Sequence, residues 1–409
     1  MARNRTMVDP GAPRAAVLAA GLLAALLAGG CEPDATGAMR EPERWTLVEE
    51  LRIGSVEDTL TGFSRVAGVL PAPDGRVYVA DAQDQRIRVF DADGGYVGAF
   101  GRRGQGPGET EAIRELGWVS DTLYVTDPRL RRVNLYEPDG RFVASLTLAL
   151  TSRDPDLVGS VPARLLADGT AIGALAVSPA AADGSPRPAP VLRVDRSGEV
   201  VDTVTVPQYR SEQVLIQAGE RVVMLPQAFV SDPLVAYSPD GLVVYVVERP
   251  AAESERDAAF RVTWLSASGD TIRTRTYPYV PVPLDRDWLE ERIRVSAAGL
   301  ARMTGLSERE AERTLFDKLY LPAHYPPVTQ AVAGADGTLW LRREDRPNVD
   351  RREWLVLDAE GEPLGALELP SSMRLWHVTA REVWASVPDE LDVPFVVRMR
   401  VERVDGRRS

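Results

Sequence analysis

From Trp45 onward the chain alternates apolar and polar residues in runs of five to eight, broken by Asp-Gly, Ser-Gly and similar pairs. Alternation with a period of two turns one face of an extended segment to a core and the other to solvent. The runs therefore predict strands, and the pairs between them hairpin turns. Val77-Tyr78-Val79-Ala80-Asp81 followed by Ile87-Arg88-Val89-Phe90-Asp91 recurs as Leu123-Tyr124-Val125-Thr126-Asp127 followed by Val133-Asn134-Leu135-Tyr136-Glu137, 46 residues later, and Asp93-Gly94 recurs as Asp139-Gly140 at the same offset. Each unit reads as four antiparallel strands. One such sheet cannot bury both faces by itself, so a repeat of roughly this length predicts blades stacked around an axis. The turn before the second strand occurs six times, at Asp74-Gly75, Ser120-Asp121, Asp168-Gly169, Asp240-Gly241, Asp336-Gly337 and Ala380-Arg381. The later hairpin turn occurs five times, at Asp93-Gly94, Asp139-Gly140, Ser197-Gly198, Ser268-Gly269 and Glu360-Gly361. The last blade thus runs out near Val401 with three strands, while an orphan strand, Trp45 to Ile53, precedes the first blade. The expected fold is all-β: a six-bladed β-propeller of four-stranded antiparallel blades over residues 44–405, its N-terminal strand completing the last blade and removing an open edge.

The period changes over residues 283–320. Leu289, Ile293 and Leu300 form one helical stripe and Ala311, Leu315 and Leu319 another, with Gly305 between them. Asp287 with Glu290, and Ser307 with Glu310, are spaced as capping boxes. A helical hairpin inserted between blades four and five is expected, either as a lid packed on the rim or as a pair of helices that docks a partner. Four further segments are irregular: Gly101 to Glu109, Thr151 to Val161, Ser178 to Pro190 and Pro207 to Asp232. In a propeller the loops between second and third strands share a face with the connections from blade to blade. All five segments fall on that face, where contacts with a ligand are expected.

The N-terminal segment carries Arg3, Arg5 and Arg14, then an apolar stretch from Ala15 to Leu27, then Ala28-Gly29-Gly30-Cys31. The stretch is shorter than the ~20 residues of a membrane span, and small residues before a cysteine suit a lipoprotein signal peptidase, so residues 1–30 read as a signal peptide. Cys31 is the single cysteine of the chain. It is the expected lipidation site, residues 31–43 are the expected flexible tether, and Glu32 after it points to the outer membrane by the sorting rule of enteric bacteria. No disulfide is available, so burial must hold the body together. The formal net charge is −12, and −14 without residues 1–30, which hold three arginines and Asp9. An acidic surface repels nucleic acid and anionic headgroups, so the lipid is the expected membrane contact and nucleic acid is excluded as a partner. Lys318 is the only lysine among 48 basic residues, a compositional bias toward arginine.

The repeat, together with the string Phe100-Gly101-Arg102-Arg103-Gly104-Gln105-Gly106-Pro107-Gly108-Glu109, resembles bacterial six-bladed propellers of the NHL-repeat and TolB-like kind, lipoproteins among them. The resemblance covers roughly residues 45 to 405 and is plainest in the first two blades. It implies a fold and a cell-envelope setting, and lends no catalytic residues.

Candidate chemistry is sparse. Arg102, Arg103, Gln105 and Glu109 in the Gly-rich loop are candidates for binding an anion. No Gly-Lys-Ser/Thr follows and a strand comes next, so the helix N-terminus that makes nucleotide loops work is missing, and the loop also reads as an inter-blade turn whose glycines take positive φ. Asp81 with Arg86, and Asp127 with Arg132, share one spacing and read as repeated ion pairs that pin a turn. His377, beside Trp376 on the inner strand of blade six, is either a general base facing the channel or a packed histidine. Amidoglycolate-lyase-like propellers use three histidines for zinc, and this chain has only His324 and His377. Lactonase-like propellers hold calcium through Glu, Asn and Asp, and neither Asn134 nor Asn348 sits in a matching motif. No Gly-x-Ser-x-Gly occurs. The expected function is non-enzymatic recognition of an envelope protein, peptide or glycan on the loop-rich face, without a cofactor. The alternative is a calcium-dependent hydrolase or lyase of the lactonase-like kind.

Overall fold

The computed structural model describes residues 41–147, 164–174, 189–209, 214–218, 221–225, 229–344 and 346–404. The expected signal peptide, Cys31 and most of the tether lie outside these residues, as do the loops 151–161 and 178–188. Six antiparallel blades follow one another, each led by an inner strand: Val66–Pro71, Leu116–Val119, Arg164–Leu165, Leu234–Tyr237, Val328–Ala333 and Arg374–Val378. Blades one to five draw all four strands from consecutive sequence. Blade six has three, ending with Pro394–Arg403, and the strand Glu43–Ile53 supplies the fourth, antiparallel from Trp45 opposite Arg403 to Ile53 opposite Val396. The missing sixth hairpin turn is therefore the seam of the ring. Glu43 and Arg44 also pair, in parallel, with Gly365 and Ala366 on the outer strand of blade five.

The turns form where the sequence places Asp and Gly. Asp91, Asp195 and Asp358 each accept two backbone N–H groups across their own turn at 2.7–3.0 Å, and the glycine three residues later takes φ of 78–86°. A side-chain acceptor stands in for a backbone one, and glycine alone adopts that φ without strain.

Blades hold to one another mainly by burial. A separate apolar cluster fills each of the six gaps between neighbours, for example Tyr78, Ile87, Leu123 and Val125 between the first two blades and Trp45, Trp340, Trp354 and Val397 between the last two. Tyrosines add polar stitches, Tyr78 donating to Pro138 O and Tyr277 to Gly361 O, both at 2.7 Å, in the next blade. At the seam Trp45 is buried 6.1 Å from Trp340. A Cβ at position 365 would meet the Trp45 ring at 2.3 Å, so only glycine lets the indole lie against that strand.

Between blades four and five lie α1 (Arg286–Thr304) and α2 (Glu308–Lys318). Ser307 and Glu310 form the expected capping box of α2. The N-cap of α1 is Asp285, whose side chain accepts from Trp288 N at 3.0 Å; the pair Asp287 and Glu290 lies inside the helix, because the chain turns helical two residues earlier than its capping pattern indicates. Gly305 ends α1 at φ 78°. The segment Pro207 to Asp232 is not wholly irregular: Val214–Ala218 and Arg221–Leu225 pair as a β-hairpin. Ile216 and Val223 of that hairpin pack with Leu289, Ile293, Leu300 and Leu315, so the apolar stripes of the two helices are spent inside the molecule.

Trp45→Ala removes the largest apolar contact at the seam. It should cost about 3–5 kcal/mol in urea unfolding of the full-length protein. A loss below 1 kcal/mol would mean that the ring does not depend on this closure.

Candidate functional site

The inner strands run from the loop-rich face toward the opposite one, since each is preceded by an inter-blade connection and followed by a tight turn. The Gly-rich loop joins blades one and two on that face, and its polar residues are engaged with one another. Glu109 accepts from Arg102 Nε at 2.6 Å and from Gly106 N at 2.8 Å, and these two bonds hold its carboxyl below the usual range, the backbone one being the stronger. Arg103 donates to Gln83 O at 2.9 Å and Gln105 to Glu111 at 2.7 Å. Gly101, Gly104 and Gly108 all take positive φ. The structure thus joins Arg102 to Glu109, sets Arg103 on the turn at Gln83 and Gln105 on Glu111 of the same connection, and leaves His377 apart from all four.

The repeated Asp–Arg spacing has a different basis from an ion pair within the turn. Asp81 is fully buried and accepts from Ser64 N at 2.8 Å and Gln83 N at 2.9 Å, with Arg88 rather than Arg86 as its cationic neighbour at 3.3 Å. Asp127 accepts from Glu111, Arg129 and Leu130 backbone N–H groups, while Arg132 donates to the carbonyls of Gln105, Gly106 and Glu109. Both aspartates tie the end of a second strand to the connection that leads into their own blade. The backbone donors there have no strand partner, and a buried carboxylate satisfies several at once. Asn134 is likewise structural, donating to Glu109 O at 2.9 Å.

The six inner strands enclose an axial channel of about 630 Å³. Val69, Leu116, Val235, Val332 and Leu375 line it, but polar and apolar atoms share its surface almost evenly. Its ionisable residues are Arg114, Glu115, Arg164, Tyr237, Asp240, Arg374 and His377. Arg374 opens its strand and Arg114 lies two residues before Leu116, so these two belong to the loop-rich end. Arg164 pairs with Ile172 just before the tight turn of blade three, its Cβ beside Gly241 in the matching turn of blade four, and so lies with His377 and Tyr237 toward the far end. Arg164 pairs with Glu115 at 3.0 Å. Arg374 stacks on the Trp376 ring with its guanidinium carbon 4.0 Å from the centroid, and the indole is fixed by its Nε1 donating to Ser386 at 2.9 Å. Among the described residues neither the Arg114 nor the Arg374 guanidinium has a hydrogen bond or ion pair.

Burial lowers the pKa of Arg374 and Glu115 partly restores it. For Arg164 burial also works against the charge, but Tyr124 and Glu115 outweigh it and the pKa ends above the ordinary value. Burial raises the Tyr237 hydroxyl strongly. A second hollow of about 770 Å³ lies at blade four beside Tyr320. Its buried cation is structural: Arg249 donates to Asp232 O at 2.7 Å and to Val328 O at 3.0 Å, bridging two blades, and burial brings its pKa down to about 10. Among the described residues no group of three or more His, Cys, Asp or Glu side chains is arranged to hold a metal ion.

Sequence reasoning missed Arg114, Arg164 and Arg374. A signal existed for Arg114, since Arg65 and Arg114 recur at nearly the repeat spacing just ahead of two successive inner strands. Arg65 itself reaches Ala82 O at 3.4 Å instead of the channel.

The family DUF5128, described as a 6-bladed beta-propeller, matches residues 63–151, which hold the first two blades. Similar solved structures include a member of the DUF4221 family from Bacteroides vulgatus, at 12% identity and TM-score 0.49 over 89% of this chain and 100% of that one. A Bacteroides fragilis protein described as exported aligns at 11% identity and TM-score 0.46 over 88% and 96%. The PQQ-bound aldose sugar dehydrogenase of Streptomyces coelicolor aligns at 12% identity and TM-score 0.43 over 88% and 99%. No curated protein matches the chain. Likenesses this remote do not bear on what the channel binds.

His377 offers a readout of the channel interior. Burial holds its pKa below the ordinary 6.5, with the Asp336 charge pulling the other way. The folded protein therefore takes up this proton less readily than the unfolded chain. Its contribution to stability is full above about pH 6.5 and is lost as pH falls through the lowered folded value. In His377→Gln the urea midpoint should fall less steeply with pH below about 6.5 than in the parent. Identical slopes would show that the imidazole is not desolvated.

Proposed function

We propose that this propeller is a recognition module of the cell envelope that binds a protein, peptide or glycan on its loop-rich face and is held at the membrane by a lipid on Cys31. The observation that carries the reading is the gathering on one face of the Gly-rich loop, the β-hairpin, the α1–α2 hairpin and a channel mouth with two unpaired guanidinium groups. A stacked ring of blades fixes such loops at little entropic cost, which favours binding by a preorganised surface. The calcium-dependent hydrolase reading has less support, because a cation site needs converging carboxylate or amide oxygens and the loop-rich end of this channel carries Arg114 and Arg374 beside Glu115.

Two measurements test the proposal on the full-length protein in non-ionic detergent. Arrays of envelope glycans and peptides should yield a binding class that is lost on Phe316→Glu, a change at the exposed surface of α2, and kept on Arg141→Gln at a turn of the opposite face. Binding lost only with the opposite-face variant would overturn the reading. Calcium followed by chelator should leave the melting temperature unchanged, whereas a rise with calcium that chelation reverses would put the hydrolase first.

The anchor has its own test. Labelled palmitate fed to expressing cells should be incorporated into the parent protein and not into Cys31→Ala. Equal labelling of both would remove Cys31 as the anchor.

A further inference from the structure

We infer that the loop-rich mouth of the axial channel is a binding site for an oxyanion, a carboxylate or phosphate carried by a small ligand, recognised by Arg114 and Arg374. The inference rests on the recognition reading and names its ligand chemistry.

Arg114 of blade two and Arg374 of blade six stand at one opening, in a chain whose formal net charge is −12. Glu115 bonds Arg164 at 3.0 Å and reaches Arg374 only through its field. Among the described residues no side chain pairs with the Arg114 or Arg374 guanidinium, so the mouth keeps two cations that Glu115 offsets only in part. Like charges confined between low-dielectric walls repel one another and focus their field outward, which attracts an anion far more strongly than scattered surface arginines would.

The two unpaired groups are also prepared for contact. Stacking on Trp376 occupies the face of the Arg374 guanidinium and leaves its N–H groups, which lie in the plane, free to donate. The indole beneath is itself tethered to Ser386, so little freedom remains to be lost when a ligand arrives. A guanidinium fork matches two oxygens of one carboxylate or phosphate, and that geometry favours these groups over halide. The channel volume of about 630 Å³ lies within the range of sites that hold small molecules. The mixed polar and apolar channel below the arginines gives the uncharged remainder of such a ligand a place to be buried.

The test is a titration of the full-length protein in non-ionic detergent at low ionic strength, followed by tryptophan fluorescence. Inorganic phosphate and D-glucuronate are the two probes and D-glucose the uncharged control. At least one anion should give a saturable change, because Trp376 lies directly under Arg374, and glucose should give none. Arg114→Gln and Arg374→Gln should each weaken binding about tenfold or more, the loss expected for one charge-assisted contact. Arg141→Gln, at a turn of the opposite face, should bind as the parent does. The tighter probe identifies phosphate or carboxylate as the group recognised. No saturable response to either anion, unchanged affinity in both channel variants, or an equal loss in Arg141→Gln would overturn the inference. Array binding of an uncharged ligand that depends on Phe316 would then leave the recognition reading standing without it, so the two can fail separately.

Discussion

The ladder between Glu43–Ile53 and Pro394–Arg403 joins two segments more than three hundred residues apart, and the ring cannot exist without it. Each blade is a small sheet with two apolar faces. It becomes stable only when both neighbours are present, and a linear stack would leave its first and last faces wet. Closing the ring covers Trp45, Ile53 and Val396 together and gives every blade the same kind of surroundings. The seam is also where the strand pattern breaks. Blade six lacks the tight turn that ends the other five, and this break marks the place where the termini are stitched.

Closure does more than hide apolar surface. It carries Arg374, near the end of the chain, to the axis beside Arg114, which comes from its first half. The inner strands are short and lie nearest the axis, so residues at their loop-rich ends have little choice but to approach the channel mouth. There burial works against the charge on Arg374 and Glu115 offsets part of that penalty. Rigid walls and partly desolvated charge are what a small anionic ligand requires. The surrounding loops and helices add a wider surface on the same side.

Repetition misleads when function sits on the symmetry axis. A feature found in several blades is most simply structural, and for Asp81 and Asp127 that holds: both collect backbone N–H groups at equivalent corners. The same rule passes over arginines placed ahead of successive inner strands, because the axis is the one place where repeated positions meet. The Gly-rich loop illustrates the reverse. It occurs once and carries two arginines, yet Arg102 is paired with Glu109 and the glycines mainly serve its turn geometry.

Local chemistry was enough to determine the blades, the turns, the seam and the two helices. Alternating apolar residues, Asp-Gly pairs and the Ser307–Glu310 box each act over a few residues, and a mismatch between six turns and five announced the closure. The start of α1 at Asp285 and the β-hairpin from Val214 to Leu225 were less legible, since several acidic residues compete as N-cap and no Asp-Gly pair marks the hairpin. The partner of Asp81, the burial of the helical stripes against Ile216 and Val223, and the meeting of Arg114 and Arg374 at one mouth were decided by the tertiary structure. These depend on distances between segments that share no local pattern, and only the packing of blades around an axis sets such distances.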